Sequence, residues 1–354
     1  MGKVKRNNDY FGNLFSKLYN ELQTIPLNKN LLTYPDELIY FIHFIYDSFK
    51  LPHPLINNTC WGYEPPNPIE TIPDNNKILI AFSGGKDSLG AVLSAIDLGY
   101  KPTLFFTKGI NKSTSDEIDF AIRLANRLNI YLEIHDATIN NTKNDYKENI
   151  IKNQFILACM VDYGIKNDFH RYAFGNHSEE SLNDPSNLEF NFSDYIEVFT
   201  EVKKYFKIHI PNFELITLVK NDTDSLIKIL SHDYTLYQDA ISCMGAKMYK
   251  AGLKVTNKNN YNINLPDSWC GSCYKCAWTY ILLSLVNIVD NQYYIAKCFD
   301  ILKDKTGIRY PNHIDFSKNG LIKRWYNIDM ITDFKTNHVL ISEINSYFRS
   351  KNIF

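Results

Sequence analysis

The rhythm of hydrophobic and polar positions changes near residue 77. From there on, apolar runs of strand length alternate with longer segments whose apolar residues recur at three- and four-residue spacings. The runs predict buried strands, and the longer segments predict amphipathic helices. The predicted strands are 77–82, 101–107, 130–137, 171–176 and 213–219. The predicted helices are 87–100, 115–129, 146–167 and 221–233.

This alternation predicts an α/β fold. Strands that are joined through helices pair in parallel, so we expect a doubly wound, five-stranded parallel sheet of the Rossmann-like type, with helices on both faces. Ligands of such sheets bind beyond the carboxyl ends of the strands. Residues 77–235 are predicted to form this domain.

The flanking segments carry weaker patterns. Residues 1–76 are rich in aromatic residues with weak helical periodicity, and they end in a connection rich in proline and asparagine. Residues 236–280 hold a cluster of cysteines, and residues 281–354 are predicted to be mainly helical. We therefore expect helical N- and C-terminal extensions around the central domain and the cysteine segment.

Composition narrows the function classes. The formal net charge of −1 over 354 residues lacks the basic surplus of proteins that hold long nucleic acids, so direct nucleic-acid binding is not expected. No apolar run reaches the ~18–20 residues of a membrane span, and the N-terminus lacks a hydrophobic signal core. We expect a cytoplasmic protein without a membrane contact.

The first predicted strand runs into the hexapeptide SGGKDS, residues 83–88. Two glycines let backbone amides converge, and a helix predicted to begin at Asp87 or Ser88 adds the partial positive charge of its amino end. Asp87 would repel phosphate unless Mg²⁺ lay between them, and Mg²⁺ favours such oxygen ligands. The turn therefore fits a magnesium-bound polyphosphate better than an ordinary structural corner with two glycines.

The hexapeptide departs from two common phosphate-binding motifs. It does not match the Walker A loop, and it is not the dinucleotide pattern G-x-G-x-x-G. It resembles the PP-loop of the N-type ATP pyrophosphatases, within the HUP or adenine nucleotide alpha hydrolase superfamily. Members of that superfamily bind ATP on a five-stranded parallel sheet and split it between the α and β phosphates.

The resemblance implies ATP and Mg²⁺ as cofactors and assigns roles within the site. The residues implied for the pyrophosphate end of ATP are Ser83, Gly84, Gly85, Lys86, Asp87 and Ser88. Asp87, Ser88 and Lys86 would be catalytic, although Lys86 occupies the variable position of the motif. Phe106 and Thr107, together with Phe105, end the second predicted strand and would lie near the adenine.

A second motif is the cysteine cluster in SWCGSCYKCAW, where Cys270, Cys273 and Cys276 stand at three-residue spacing. In a reducing compartment such a cluster indicates metal or redox chemistry more than disulfides. A structural zinc ion needs four ligands. Cys243 is the expected fourth ligand, and His232 is its rival. An iron–sulfur cluster and reduced thiols in a core are the alternatives to zinc.

The order of these cysteines resembles the 7-cyano-7-deazaguanine synthases, the QueC family. Members carry a serine–cysteine pair and then a zinc-binding C-G-x-C-x-x-C, and here Ser242-Cys243 and residues 270–276 match, with a longer insertion between them. The resemblance covers roughly residues 77–280 and implies a Zn²⁺ site and an ATP-dependent ligase. Such an enzyme adenylates the carboxylate of 7-carboxy-7-deazaguanine and replaces AMP with ammonia, giving an amide and then a nitrile.

The region after the fourth predicted strand departs from that family. In place of a segment rich in Gly, Asp and Pro stands FGNHSEESLNDPSN, which either faces a deazapurine-like substrate or forms a solvated loop. Its candidate substrate residues are Gly175, Asn176, His177, Glu179 and Glu180. The departure suggests a divergent relative that resembles larger proteins of anti-phage operons of the CBASS and Qat types. Ammonia or a protein amino group would then be the acceptor, and a defence-operon protein or a second copy in a homodimer would be the partner.

Three other functions compete with this interpretation. A sulfur-transfer or sulfonucleotide-reductase relative would use the same turn but bind iron. A non-catalytic ATP-binding module of a defence complex would keep the nucleotide without releasing pyrophosphate, and the intact Asp87 argues against it. A nucleic-acid-binding zinc module would need a basic stripe that the cluster lacks.

Overall fold

The computed structural model describes residues 9–22, 31–57, 72, 75–110, 114–137, 151–177, 195–220, 222–240, 274–285 and 298. Its helices are α1 (Tyr10–Leu22), α2 (Asp36–Ser48), α3 (Lys86–Asp97), α4 (Thr114–Leu128), α5 (Lys152–Asn167), α6 (Ile196–His209), α7 (Asp222–Asp233) and α8 (Tyr274–Leu285). Its strands are β1 (Leu31–Thr33), β2 (Leu55–Asn57), β3 (Lys77–Ala81), β4 (Lys101–Lys108), β5 (Leu132–Asp136), β6 (Arg171–His177) and β7 (Glu214–Val219). A short 3-10 helix, Tyr234–Gln238, follows α7.

The large sheet contains five strands in the order β5-β4-β3-β6-β7, and each neighbouring pair is parallel. The predicted α/β class and the five predicted strands are therefore confirmed. The chain moves outward from β3 through β4 to β5 and then crosses to β6, on the other side of β3. The carboxyl ends of β3, β4 and β6 thus meet at a topological switch point, where sheets of this kind bind ligands.

Side chains along the central strands alternate between two hydrophobic cores, one on each face of the sheet. On one face, Ile78, Ile80 and Leu104 pack with apolar residues of α3, α4 and α7. On the other face, Leu79 and Phe105 pack with apolar residues of α1, α5 and α6. Helices therefore cover both faces, as a doubly wound sheet requires.

The described part of the N-terminal segment belongs to the second of these cores. Phe11 and Phe15 on α1 contact Phe206 on α6, with ring centroids 5.3 and 5.6 Å apart. Complete burial of such a ring stabilises a fold by about 1.5–3 kcal/mol. Residues of α2 join the same core, whereas β1 and β2 pair with each other in parallel, apart from the large sheet.

Helix α8 carries the last cysteine of the predicted metal cluster. Cys276, Ala277, Tyr280 and Leu283 on this helix are buried. The rest of the predicted helical region 281–354, apart from Cys298, lies outside the described residues. Within the described ranges, no helix is both long enough and apolar enough to cross a membrane.

Candidate nucleotide-binding site

The SGGKDS turn joins the end of β3 to α3. Gly84 has a φ of +74°, and a Cβ atom there would lie 2.9 Å from a backbone nitrogen of α4. Both the left-handed backbone and the close approach of α4 therefore require glycine at this position. Helix α3 begins at Lys86, with Gly85 as its N-cap residue, slightly earlier than the predicted start at Asp87 or Ser88. The last three residues of the motif thus form the first turn of α3, where helix amides favour anions.

Lys86 and Asp87 form an ion pair at the start of α3. The Lys86 ammonium donates to the Asp87 carboxylate at 2.6 Å. The Lys86 side chain is 10% exposed and the Asp87 side chain 31%, so the lysine is enclosed while the acid remains accessible. Asp87 lines the cavity described below and Lys86 does not. The lysine therefore contacts the cavity-lining carboxylate from inside the protein.

Gly175 brings the end of β6 against the start of α3. A Cβ atom at this position would lie 2.5 Å from the backbone nitrogen of Ser88 and 2.7 Å from the carbonyl carbon of Asp87. A side chain larger than hydrogen would therefore push the strand and the helix apart. The structure thus places Gly175, a candidate substrate residue, in direct contact with the first turn of α3.

A cavity of about 250 Å³ opens where the ends of β3, β4 and β6 meet, and we call it the switch-point cavity. The predicted residues in its lining are Ser83, Asp87, Ser88, Phe105, Phe106, Thr107, Gly175 and Asn176. Gly84 and Gly85 belong to the same turn but do not line the cavity. Three separate segments of the chain therefore converge on one site.

The switch-point cavity also includes residues that the sequence patterns did not single out. Glu117 lies in the first turn of α4, Lys152 and Asn153 begin α5, and Phe174 precedes Gly175 on β6. Helices that follow parallel strands begin near the carboxyl edge of the sheet, so polar residues in their first turns are natural candidates. The sequence does not point to Lys152 as a site residue, because the predicted helix begins at residue 146 and therefore places Lys152 in its second turn instead of its first.

Thr107 also lines the switch-point cavity, and its side-chain hydroxyl is buried. The residue is 7% exposed, and its Oγ1 has no hydrogen-bond partner among the described residues. Leaving such a buried group unsatisfied costs about 1–3 kcal/mol. A ligand that fills the cavity and hydrogen-bonds to Thr107 would remove this cost.

The neighbouring Phe105 and Phe106 also line the cavity; both are buried, and their side chains join the cores on opposite faces of the sheet. The Phe105 ring stacks on His135, with ring centroids 5.5 Å apart. Burial lowers the pKa of His135, so this imidazole is neutral at neutral pH. The lining residues from the end of β4 are therefore two phenylalanines and one threonine, without a formal charge.

The other candidate substrate residues are only partly within the described chain. Asn176 lines the switch-point cavity. His177 is the last residue of β6, and its backbone pairs with Val219 of β7. Glu179 and Glu180 lie outside the described residues.

Only one of the four predicted zinc ligands lies within the described residues. Cys276 is buried on α8, whereas Cys243, Cys270 and Cys273 lie outside the described residues. The rival ligand His232 contacts the Asp97 carboxylate through its Nε2 at 2.8 Å. In the part of the chain that the structure describes, no group of three or more His, Cys, Asp or Glu side chains could hold a metal ion. The zinc site therefore stays a prediction.

No family model and no curated protein sequence match this chain. One similar solved structure is a predicted subunit of a tRNA methyltransferase from Methanocaldococcus jannaschii, with 18% identity and a TM-score of 0.26 over 41% of this chain and 67% of that chain. Another is the U34-tRNA thiolase NcsA from Methanococcus maripaludis with its 4Fe–4S cluster, with 16% identity and a TM-score of 0.32 over 64% of this chain and 74% of that chain. At such TM-scores neither similarity assigns a function to this chain.

Proposed function

We propose that this protein is an ATP-dependent ligase that adenylates a carboxylate, releases pyrophosphate and transfers the acyl group to an amine. The observation that carries the proposal is that the SGGKDS turn, the aromatic end of β4 and the glycine-containing end of β6 line one cavity. The cavity offers a helix amino end to an anion, a carboxylate to a divalent cation and flat walls to a purine.

The first turn of α3 suits the pyrophosphate end of ATP. Its amides and the Ser83 hydroxyl can donate to phosphate oxygens, and the helix dipole favours their charge. The Ser88 hydroxyl donates to the Gly85 carbonyl at 3.0 Å. The Ser88 hydroxyl can turn to a phosphate oxygen without leaving the Gly85 carbonyl unpaired, because the Leu89 amide also donates to this carbonyl at 2.9 Å. Lys152, on the wall formed by α5, adds positive charge.

The residues also fit Mg²⁺. Asp87 presents an accessible carboxylate beside the helix amides, and oxygen ligands together with phosphates are the usual surroundings of this ion. Bound Mg²⁺ would neutralise the charge that develops on departing pyrophosphate. Asp87 would hold the ion, and the enclosed Lys86 would hold Asp87 in position through their ion pair.

The opposite wall suits the adenine. Phe105 and Phe106, on opposite sides of the β4 end, would provide apolar surface for a flat ring, and the buried Thr107 hydroxyl would turn to the cavity and gain a partner from a ring nitrogen or an amino group. Adenine recognition needs little more than such surface and a few polar contacts. The nucleotide would then lie across the carboxyl ends of β4 and β3, with its phosphates directed to α3.

The proposed reaction consists of two displacements. A carboxylate oxygen of the substrate attacks the α-phosphorus of ATP, the bond to the bridging oxygen breaks, and pyrophosphate leaves. The amine nitrogen then attacks the acyl carbon, AMP leaves with the acyl oxygen that carries the phosphorus, and the nitrogen loses a proton. The first step is needed because a carboxylate is a poor electrophile, whereas AMP is a good leaving group. Donors aimed at the phosphate oxygens lower the barrier by stabilising the developing charge.

The resemblance of the cysteine pattern supports 7-carboxy-7-deazaguanine, or a related deazapurine carboxylate, as the substrate. Ammonia would give the amide, and a second ATP would adenylate the amide oxygen, so that loss of AMP and a proton gives the nitrile. A protein amino group would give an adduct in an anti-phage system. Zn²⁺ held by Cys243, Cys270, Cys273 and Cys276 would stabilise the cysteine segment. These finer assignments belong to the proposal.

Release of AMP and pyrophosphate tests the proposed function. The purified protein is incubated with ATP, Mg²⁺, 7-carboxy-7-deazaguanine and either ammonia or peptide amines, and products are identified by mass spectrometry. We expect AMP and pyrophosphate in equal amounts, together with an amide, a nitrile or an adduct. Absence of AMP with every carboxylate tried would refute the ligase. ATP binding without turnover would instead support a non-catalytic module.

Asp87→Asn is the informative variant for this assay. It keeps the side-chain volume and an oxygen for Lys86 but removes the charge that would hold Mg²⁺, so we expect AMP release to fall by about 10²–10³-fold. Asp97→Asn is the matched control, because Asp97 lies at the other end of α3 and is also paired with a lysine, Lys228, at 2.9 Å. Equal AMP release from wild type and Asp87→Asn would exclude Asp87 from the mechanism.

A further inference from the structure

A second, smaller cavity adjoins the switch-point cavity. It has a volume of about 110 Å³ and lies between α6 and the strands β6 and β7, and we call it the α6 cavity. Phe174 and Asn176 belong to the lining of both cavities. None of the predicted nucleotide-binding residues lines the α6 cavity.

The α6 cavity is lined by flat aromatic and aliphatic surface. Phe174 and Phe199 have ring centroids 5.0 Å apart and planes inclined at 49°, and isoleucine and leucine residues of α6 and β7 add to the lining. At about 110 Å³ the α6 cavity is smaller than the ~150 Å³ cavity known to take up benzene in another protein, so it can enclose about one aromatic ring of a ligand. The apolar lining suits such a ring.

Charge in the α6 cavity has one sign. Lys203 is the basic residue in its lining, and no Asp or Glu lines it. Within the described part of the chain, the Lys203 ammonium makes no ion pair or hydrogen bond. By contrast, the ammonium of the adjacent Lys204 forms an ion pair with the Glu201 carboxylate at 2.7 Å. A cation against an apolar cavity without an acidic neighbour attracts an anionic ligand.

We infer that the α6 cavity binds the carboxylate substrate of the proposed reaction, and that this substrate is a small flat aromatic or heteroaromatic carboxylate. This inference rests on the proposed function. Phe174 and Phe199 would contact the ring, and Lys203 would attract the carboxylate. Asn176, on the shared wall, would lie where the substrate meets the nucleotide. The lysine would also reduce repulsion between the substrate anion and the phosphates of ATP.

Equilibrium binding tests this assignment independently of turnover. The probes are indole-3-carboxylate and 7-carboxy-7-deazaguanine, with their carboxamides as neutral counterparts, titrated in the presence of Mg²⁺ and α,β-methylene-ATP. The variants are Lys203→Met, which keeps the chain length without the charge, and Lys204→Met as the control. We expect at least one carboxylate to bind wild type, to bind Lys203→Met at least 10-fold more weakly, and to bind Lys204→Met within about 2-fold of wild type. The carboxamides should not distinguish the three proteins.

Two results would overturn the assignment: neither carboxylate binds to wild type, or Lys203→Met and Lys204→Met bind the carboxylates equally well. The AMP assay separates this failure from failure of the proposed function. If Lys203→Met releases AMP with an unchanged KM for the carboxylate, the α6 cavity is not the substrate site, but the proposed ligase activity holds. If carboxylate binding depends on Lys203 but wild type releases no AMP, the α6 cavity is a carboxylate site and the proposed ligase activity is wrong.

Discussion

At the scale of single residues, we expect Thr107 to link the stability of the protein to its affinity for ATP. Thr107→Val removes a buried hydroxyl that has no partner in the described structure. We expect the ligand-free variant to be more stable than wild type by about 1 kcal/mol, because the desolvation cost of the hydroxyl disappears. We expect its affinity for ATP to fall by about 5- to 10-fold, because a hydrogen bond to the adenine is lost. Urea unfolding and nucleotide titration measure the two effects.

Ser94→Ala is the matched control for Thr107→Val. Ser94 lies on α3, is buried, and has an Oγ that finds no hydrogen-bond partner among the residues described. It does not line the switch-point cavity. The control should therefore gain stability without losing affinity for ATP. Equal ATP affinities in wild type and Thr107→Val would show that the nucleotide does not use this hydroxyl.

At the scale of elements, one carboxylate connects α1 to α5. Asp162 on α5 accepts hydrogen bonds from the backbone amides of Phe11 and Gly12, in the first turn of α1, at 3.2 and 2.7 Å. Burial raises the pKa of Asp162 to about 7, although the two amides oppose the rise. The same helix α5 supplies Lys152 and Asn153 to the switch-point cavity. The N-terminal helix therefore packs behind one wall of the candidate site.

Asp162→Asn should change how stability depends on pH. The folded protein holds the Asp162 proton up to about pH 7, whereas the unfolded chain releases it near 3.8. Between these values the folded state binds the extra proton, so the contribution of this group to stability falls as pH rises and is lost above pH 7. From pH 5 to pH 8, wild type should lose about 3 kcal/mol relative to the variant. Urea unfolding of both proteins at several pH values measures this difference, and a difference independent of pH would contradict the raised pKa.

At the scale of the whole molecule, metal content decides between the rival chemistries. We expect a colourless protein with one zinc ion per chain by elemental analysis. Cys273→Ser should lose the zinc and unfold more easily, because a structural zinc ion contributes directly to folding free energy. Cys60→Ser, outside the cluster, should keep the ion. Iron with visible absorption would contradict the zinc prediction and favour a sulfur-transfer enzyme.

The sequence by itself determined the five strands of the sheet and the position of the SGGKDS turn between β3 and α3. Most strands and helices from residue 77 onward were predictable because burial imposes a local period on each element. Helix α6, Ile196–His209, was not predicted. The SGGKDS turn was readable because its glycines, acid and helix start lie next to one another in the chain. The predicted helix starts were less accurate: α3 begins at Lys86 instead of residue 87 or 88, and α5 begins at Lys152 instead of residue 146. The reason is that helix ends leave weaker signals in the sequence than helix faces.

Only the tertiary structure decided which distant residues meet. The contact of Gly175 with the start of α3 depends on β6 lying beside β3, and no local pattern encodes the order of strands in a sheet. For the same reason, the convergence of Phe174, Phe199 and Lys203 on the α6 cavity and the hydrogen bonds of Asp162 to α1 had no signature in the sequence. Periodicity reports which face of an element is buried, whereas long-range packing decides what covers that face.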